Sequence, residues 1–416
     1  MRTLEIVNIF IAVFFVAAYA YQVIYLIVGL VKKPEVPEET AMNRIAVLIC
    51  ARNEEAVIGQ LLASVRQQTY VGQYVDIFVA ADNCTDDTAG TARQAGAIVY
   101  ERFNRERVGK GYALEFLLDK MEGDGKIYDA YLVLDADNLL DEHYIEEMNK
   151  MLCAGHRIIT SYRNSKNFGS NWISAGYSLW FLRESRYLNQ ARMTLGTSCA
   201  VSGTGFMVHR SIIEKNHGWK HFLLTEDIEF TVDSILQGEK VAYCKDAILY
   251  DEQPVTFSQS WCQRMRWAKG NLQVFEKYGR SLGRTLGREH SFACFDMLMT
   301  IMPAVILTFL CCLLNGAAVI VSAAYKPVYL ERIMAEAGFA LFNVYITLFM
   351  MGFITVLSEW KRIQASGFKK ILYSFTFPVF MLTYIPVTAS ALFKKVEWKP
   401  IRHDISKSLE EVRMRS

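Results

Sequence analysis

The stretch NRIAVLICARNEEAVIGQLLASVRQQ, residues 43–68, changes its period halfway along. Residues 45–50 form an unbroken apolar, β-rich run that gives way to polar residues at 52–55. Beyond them Val57, Ile58, Leu61, Leu62 and Val65 fall at helical spacing. A strand apolar on both faces, followed at once by an amphipathic helix, is the half-unit of a mostly parallel sheet covered by helices. The plan recurs. YVDIFVAADNCTDDTAGTARQAGA gives a strand over 75–81, a polar turn over 82–87 and a helix that Thr85 or Asp86 can cap. YLVLDADNLLD, residues 131–141, is a third strand, reached through the glycine-bearing RERVGKGYALEFLLDK. In open α/β sheets ligands sit beyond the carboxyl ends of the strands, so Asn53, Asp82, Asp135 and Asp137 are expected to converge on one crevice.

The flanks have another character. Of the 416 residues 52% are hydrophobic, which is high for a chain living wholly in water. The surplus is concentrated in four runs without Asp, Glu, Lys or Arg, at 6–31, 297–325, 338–357 and 371–393. Each is long enough to cross a hydrocarbon core about 30 Å thick as a helix. The first run continues eleven residues past AYA at 18–20, too far for the core of a cleaved signal peptide, so an anchor is expected. The expected organisation is a transmembrane anchor over 1–33, a cytosolic domain over 34–290, membrane segments over 291–396 and a cytosolic tail over 397–416. Basic residues mark the cytoplasmic side: Lys32 and Lys33, then Lys361, Arg362, Lys369 and Lys370, then the tail. If all three C-terminal runs crossed once, the loop 358–370 and the tail would fall on opposite sides although both are basic. One of the three is therefore expected to be re-entrant or interfacial.

Other function classes are disfavoured. A net charge of +2 gives no reason to expect a nucleic-acid partner, and four runs free of Asp, Glu, Lys and Arg argue against an ion-coupled transporter. Nine cysteines, an odd number without a C-x-x-C pair, suit a reducing cytosolic face rather than a disulfide framework or zinc site. Between 165 and 290 aromatic and basic residues interleave, among them Trp172, Trp180, Arg183, Arg186, Trp261 and Lys269, as in elements that lie along a membrane surface.

Three constellations can carry chemistry. On a regular strand Asp135 and Asp137 would point to opposite faces, so they share a ligand only if the strand ends between them, an ending that Asn138 and Asp141 favour. Such a pair suits Mg²⁺ or Mn²⁺, or else it caps a helix beginning near Glu142. In LLTEDIEF, residues 223–230, Thr225 can cap a helix whose dipole Glu226 and Asp227 complement, or a carboxylate can act as general base beside an acceptor hydroxyl. In QRMRW, residues 263–267, Gln263, Arg266 and Trp267 share a helix face, either as interfacial anchors or as a sugar platform beside a phosphate-binding guanidinium. Lys110 in VGKG could meet a diphosphate, although neither a Walker loop nor a dinucleotide fingerprint is present. The two glycines of SGTG, 202–205, would let backbone approach a ligand closely.

Taken in order, ARNEE, ADNCTDDT, GKGYAL, DADN, SGTG, TED and QRMRW resemble, over about residues 45–270, the motif series of the membrane-embedded family 2 glycosyltransferases. That group contains the hyaluronan, chitin, cellulose and poly-N-acetylglucosamine synthases. VEWKPIRHD in the tail is similar to a stretch that follows the last membrane segment in bacterial relatives. The resemblance implies a Rossmann-like GT-A domain that transfers sugar with inversion from a UDP-sugar, UDP-N-acetylglucosamine or UDP-glucose leading. It also implies a Mg²⁺ or Mn²⁺ cofactor, a polysaccharide or lipid-linked acceptor, and a place in the plasma membrane with the catalytic domain cytosolic. A homo-oligomer or an export partner would complete a conduit of few spans. By the same resemblance Asn53, Glu54 and Asp82 contact the nucleoside, Lys110 the diphosphate or donor sugar, Asp135 the ribose or donor sugar, and Asp137 the metal. Asp227 corresponds to the catalytic base, while Glu226, Gln263, Arg264, Arg266 and Trp267 border the acceptor and the leaving diphosphate. Asn83 departs from the pattern, standing where many relatives have a second aspartate.

Overall fold

The computed structural model describes residues 2–32, 37–302, 304–325, 330–401 and 403–413; Lys33, Arg402 and the expected boundary at 33–34 lie outside them. Eight strands make one sheet: β1 (Ile45–Ala51), β2 (Val75–Asp82), β3 (Ile98–Arg102), β4 (Ala130–Asp135), β5 (Leu139–Leu140), β6 (Ile158–Ser165), β7 (Phe206–His209) and β8 (Val241–Asp251). Their order is β3-β2-β1-β4-β7-β6-β8-β5. The first four run parallel. β7 is antiparallel to both neighbours, β8 is parallel to β6, and β5 is antiparallel to β8. The sheet is thus parallel where the sequence alternates strand with helix, and mixed where that alternation fades after residue 165.

Alternate residues of the central strands feed two cores. Ala46 and Leu48 of β1 join Phe78, Ala80 and Val133 on one side, while Ile45, Val47 and Ile49 join Val79, Leu132 and Leu134 on the other. Both faces are covered, which is why these strands read as continuous apolar runs. Each buried side chain of this size adds about 1.5–3 kcal/mol. The helix Glu55–Arg66 buries Val57, Ile58, Leu61, Leu62 and Val65, the five residues at helical spacing.

Two asparagines turn strand into helix. Asn53 (φ 58°) and Asn83 (φ 54°) follow β1 and β2 in the left-handed region, which asparagine tolerates better than most residues. That conformation accounts for Asn83, whose side-chain oxygen also accepts from the Asn104 N–H at 2.9 Å. The helix Thr88–Gln94 starts one or two residues later than the expected cap, with Asp87 at the N-cap position. Asp86 still serves it, accepting from the Thr88 N–H at 3.2 Å. The helix after DADN begins at Tyr144, not at Glu142.

A bidentate pair ties the N-terminal helix to the domain. Arg192 donates to both carboxylate oxygens of Asp296 at 2.7 and 2.9 Å, and the hydroxyls of Tyr21 and Tyr25 donate to the same carboxylate at 2.9 and 2.8 Å. Among the described residues three helical segments are long and apolar enough to cross a membrane: Ile6–Val31, Leu330–Ser358 and Gly367–Phe393. The run 297–325 does not form one helix; it divides into Phe292–Ile301 and Ala304–Tyr325.

The last apolar run touches the soluble domain along its whole length. At its start Lys369 donates to the Gly169 carbonyl at 2.6 Å, just beyond a loop in which Glu359 accepts from Tyr162 at 2.5 Å and the Arg362 carbonyl from Asn164 at 2.9 Å. At its middle Phe380 packs on Tyr177, and Thr383 accepts from Arg264 at 2.6 Å. Near its end the Ala391 carbonyl accepts from Lys269 at 3.2 Å. Start, middle and end all touch the soluble domain, so this segment lies along it, bent at Thr383 between Gly367–Leu382 and Tyr384–Phe393. A run that does not cross would leave both basic stretches, 358–370 and the tail, on one side, in keeping with the distribution of lysine and arginine. In a chain otherwise free of cysteine, Ser366→Cys and Lys394→Cys should react with a membrane-impermeant maleimide from the same face of sealed vesicles. Labelling from opposite faces would show that this run crosses.

Candidate active site

The carboxyl ends of β1, β2, β4, β6 and β8 open on one crevice, and the residues there are tied together by short polar contacts. β4 ends at Asp135, where Asn138 Oδ1 and the Thr204 hydroxyl both accept from the Asp135 N–H, at 3.1 and 2.8 Å. The strand therefore does end between the two aspartates, and Asp135 and Asp137 part company. Asp135 takes the Lys110 ammonium at 2.5 Å. Asp137 is buried, and its Oδ2 accepts from the Glu252 N–H at 2.9 Å. Burial would raise the Asp137 carboxyl, but His403, Lys166 and that N–H outweigh it and hold it below the usual range.

Lys110 is the first residue of the helix Lys110–Gly123. Gly111 lets that helix start lie against another chain segment: a Cβ there would stand 2.1 Å from the His221 carbonyl oxygen. From this position the Lys110 ammonium also donates to the Gly203 carbonyl at 2.8 Å. The N–H of the same Gly203 donates to Asp227 Oδ2 at 2.6 Å. The loop 202–205 thus joins the side holding Asp135 to the side holding Asp227. Glu226 and Asp227 open the helix Glu226–Leu236, with Thr225 at the N-cap. Burial and then the adjacent Asp227 push Glu226 up to about 7. Burial raises Asp227 as well, against the N–H groups of Ile228 and Gly203 and the charge of Lys110.

A further side of the crevice is built on β1 and β2. Asn53 is exposed and its side-chain oxygen accepts from the Thr85 N–H at 2.7 Å, so it holds the second turn in place. Asp82 is buried and accepts from Arg102 at 2.6 Å and from Asn83 at 2.9 Å. Glu54 is buried and faces His403, whose Nδ1 lies 2.9 and 3.0 Å from its two oxygens.

On the opposite wall is the long helix Phe257–Glu289. Its Trp267 packs edge-on against Tyr177 and Phe181. Gln263 Oε1, Arg264 Nη2 and Arg266 Nε are buried without a hydrogen-bond partner among the described residues. The Nη1 contacts of Arg264 are made with the last apolar run. Arg264 is fully buried, donating to the Phe380 carbonyl at 3.2 Å and to Thr383, with its guanidinium over the Phe380 and Tyr384 rings.

Sequence reasoning missed the tail. After Phe393 the chain crosses the mouth of the crevice: Trp398 lies beside the guanidinium groups of Arg52 and Arg266, and His403 reaches Glu54. Next, Glu252 accepts from the N–H groups of Asp404 and Ile405 at 3.2 and 3.0 Å. The tail ends with Leu409 and Val412 packed on Leu139 and Tyr250, and with Arg413 on Asp141 at 2.6 Å. The only local signal was VEWKPIRHD, which says nothing about where it folds.

The residues present fit a divalent ion. His403 is held above its ordinary range because Asp137 and Glu54 outweigh the effect of burial, so the carboxylates here already draw a cation. With its Nδ1 on Glu54, Nε2 could take an ion once the ring gives up its extra proton, the arrangement in which a carboxylate orients a histidine ligand. Among the described residues no three His, Cys, Asp or Glu side chains form a ready metal cage, as for an ion that takes its other ligands from phosphate and water.

Residues 43–270 match the family model described as glycosyltransferase-like family 2. The chain is 28% identical over 255 residues to the probable glycosyltransferase YdaM of Bacillus subtilis, covering 57% of each protein. It is 26% identical over 272 residues to a beta-monoglucosyldiacylglycerol synthase of Nostoc, covering 63% of this chain and 56% of that one. The chain thus matches little more than half the length of these relatives. In fold it is similar to the mannosyltransferase PcManGT of Pyrobaculum calidifontis, solved with GDP-Man and Mn²⁺, at a TM-score of 0.58, 16% identity and coverage of 94% of this chain and 99% of that one. With the matched segment taking in β1 through the QRMRW helix and every strand end that lines the crevice, the chain belongs to glycosyltransferase family 2.

Proposed function

We propose that this protein transfers a hexose, with inversion, from a UDP-sugar to an acceptor hydroxyl at the membrane surface, extending a β-linked polysaccharide with the help of Mg²⁺ or Mn²⁺. UDP-N-acetylglucosamine and UDP-glucose are the leading donors. The observation that carries the reading is the single loop 202–205, on which Lys110 and Asp227 meet within 2.8 Å of one glycine. Donor and base are thereby fixed relative to one another, which an in-line displacement needs. Asn53, Glu54 and Asp82 border the nucleoside, and Asp135 and Lys110 the ribose, sugar and diphosphate. Gln263 and Arg266 offer their unpaired polar atoms to the diphosphate and acceptor, with Trp267 as platform; Glu226 lines the same space. Asp227 accepts the acceptor proton as its oxygen attacks the anomeric carbon, a task worth typically 10²–10⁴-fold. Asp137 and His403 would hold the ion, which when bound neutralises charge on the departing diphosphate.

The domain, about 34–290, is read as cytosolic, carried by spans drawn from the apolar runs at 6–31, 297–325, 338–357 and 371–393. So few spans make a narrow conduit, and a second copy or an export partner would complete it. The same economy favours a second reading, transfer of one sugar to a membrane lipid, which the likeness to a glycolipid synthase also supports. A screen of UDP-sugars for metal-dependent UDP release, followed by mass analysis of the product, separates the two: a ladder of sizes for the polymer, one added hexose for the lipid.

Asp227→Asn should lower kcat by at least about 100-fold while UDP still binds, as read by calorimetry; turnover near that of the parent would remove Asp227 from its role. Because Asp227 is raised, its base form appears only above the pH where an ordinary aspartate ionises. The kcat should therefore fall with acidification from a higher pH than about 4, and a flat profile down to that point would contradict the assignment. Asp137→Ala and His403→Ala should each weaken the effect of Mn²⁺ on UDP affinity; an unaltered Mn²⁺ titration would discard that residue as a ligand.

A further inference from the structure

Arg163, on β6, is a charged residue that neither the motif series nor the proposed chemistry uses. Its Nε donates to Asp251 Oδ2 at 2.6 Å and its Nη2 reaches the same oxygen at 2.5 Å. The third arm, Nη1, donates to the Ser202 carbonyl at 2.9 Å. The guanidinium lies 3.6 Å from the centre of the Phe181 ring, so its plane is fixed by an ion pair at one end and an aromatic face alongside.

The Ser202 carbonyl and the Gly203 N–H belong to one peptide group. On one side that group accepts from Arg163; on the other it donates to Asp227 at 2.6 Å. A peptide bonded between a cation and an anion is polarised by both, and bonds in such a chain strengthen each other. The backbone is set for this role: Gly203 has φ +76°, where any side chain is strained, and a Cβ there would lie 3.6 Å from Arg163 Nη1 and 4.0 Å from Asp227 Oδ2.

We propose that Arg163 is a positioning residue for Asp227, holding the Ser202–Gly203 peptide so that the Gly203 N–H stays on the carboxylate that takes the acceptor proton. The inference rests on the reading of Asp227 as the base. Asp251 in turn anchors Arg163, and the next residue, Glu252, supplies the N–H that Asp137 accepts. One rigid path therefore runs from the metal side of the crevice to the base. The other charged groups acting near Asp227 are Glu226 beside it, Lys110 across the loop and Glu184, which accepts from the Ser202 hydroxyl at 3.3 Å. With Arg163 gone, the Gly203 N–H loses its polarising partner while the burial that opposes ionisation of Asp227 remains.

The test uses the purified full chain with Mn²⁺ and the UDP-sugar it turns over. Arg163→Met, Arg163→Lys, Asp251→Asn and Asp227→Asn are compared by steady-state kinetics across pH and by UDP calorimetry. Arg163→Met should lower kcat by about 10–100-fold, part of what a base contributes, with donor KM and UDP affinity within about twofold, a transition-state effect without a binding effect. The acid limb of kcat should move to higher pH. Arg163→Lys, a point charge that reaches one partner only, should recover part of the rate. If Arg163→Met does not fold, Asp251→Asn, which loosens the guanidinium without removing it, should show the same split and the same displaced limb. Unchanged kcat and acid limb beside an inactive Asp227→Asn would overturn the role of Arg163 and leave the base standing. A fall in UDP affinity parallel to kcat would make Arg163 a donor-site residue and overturn the proposal too. An active Asp227→Asn would remove the base itself, and the inference with it.

Discussion

A single ammonium holds the two halves of the crevice together. Lys110 donates to the Asp135 carboxylate and to the Gly203 carbonyl, one at the end of β4, the other on the loop that bonds Asp227. It is nearly inaccessible, with its side chain 12% exposed, and a buried cation is tolerated only when its donors are used. Here burial is outweighed by Asp135 and then Glu226, so its charge is kept, its affinity for the proton rising rather than falling. That charge works against the burial which pushes the neighbouring carboxyls of Glu226 and Asp227 up.

Around that centre the fold is arranged as walls. Parallel strands give a row of carboxyl ends at one edge, the QRMRW helix faces them, and the tail closes over the top through Trp398 and His403. The run 371–393 supports the helix from behind: Arg264, Phe380 and Thr383 lock it to the segment that bends there. Gln263, Arg266 and Trp267 thus stand on the same helix whose Arg264 grips that segment, and the tail begins where the segment ends.

How much of this was legible in the sequence follows from the range of each signal. Strand–helix alternation is local, so β1, β2, β4 and the placing of Asn53, Asp82, Asp135 and Asp137 at their ends could be read directly. The left-handed turns at Asn53 and Asn83 left only the residue type as a trace. The antiparallel β7 and the short β5 were not legible, because four- and two-residue strands carry no period. Arg264 was grouped with its motif although it faces the other way; periodicity gives a bearing around a helix, not the identity of what lies opposite. His403 pairs with Glu54 across 349 positions, and nothing local specifies such a contact. The basic loop and basic tail set one apolar run apart from the others, but the contacts of the last run with Gly169, Arg264 and Lys269 are long-range and left no local trace.

The central claim is that one half-buried carboxylate, Asp227, assists a single displacement at the anomeric carbon as base, with no second nucleophile. The most direct measurement is the anomeric configuration of the first product, followed by proton NMR as an α-linked UDP-hexose is consumed by the purified full chain. A β-linked product from the earliest time point is the predicted result. An α-linked product, which requires retention through two displacements, would contradict it.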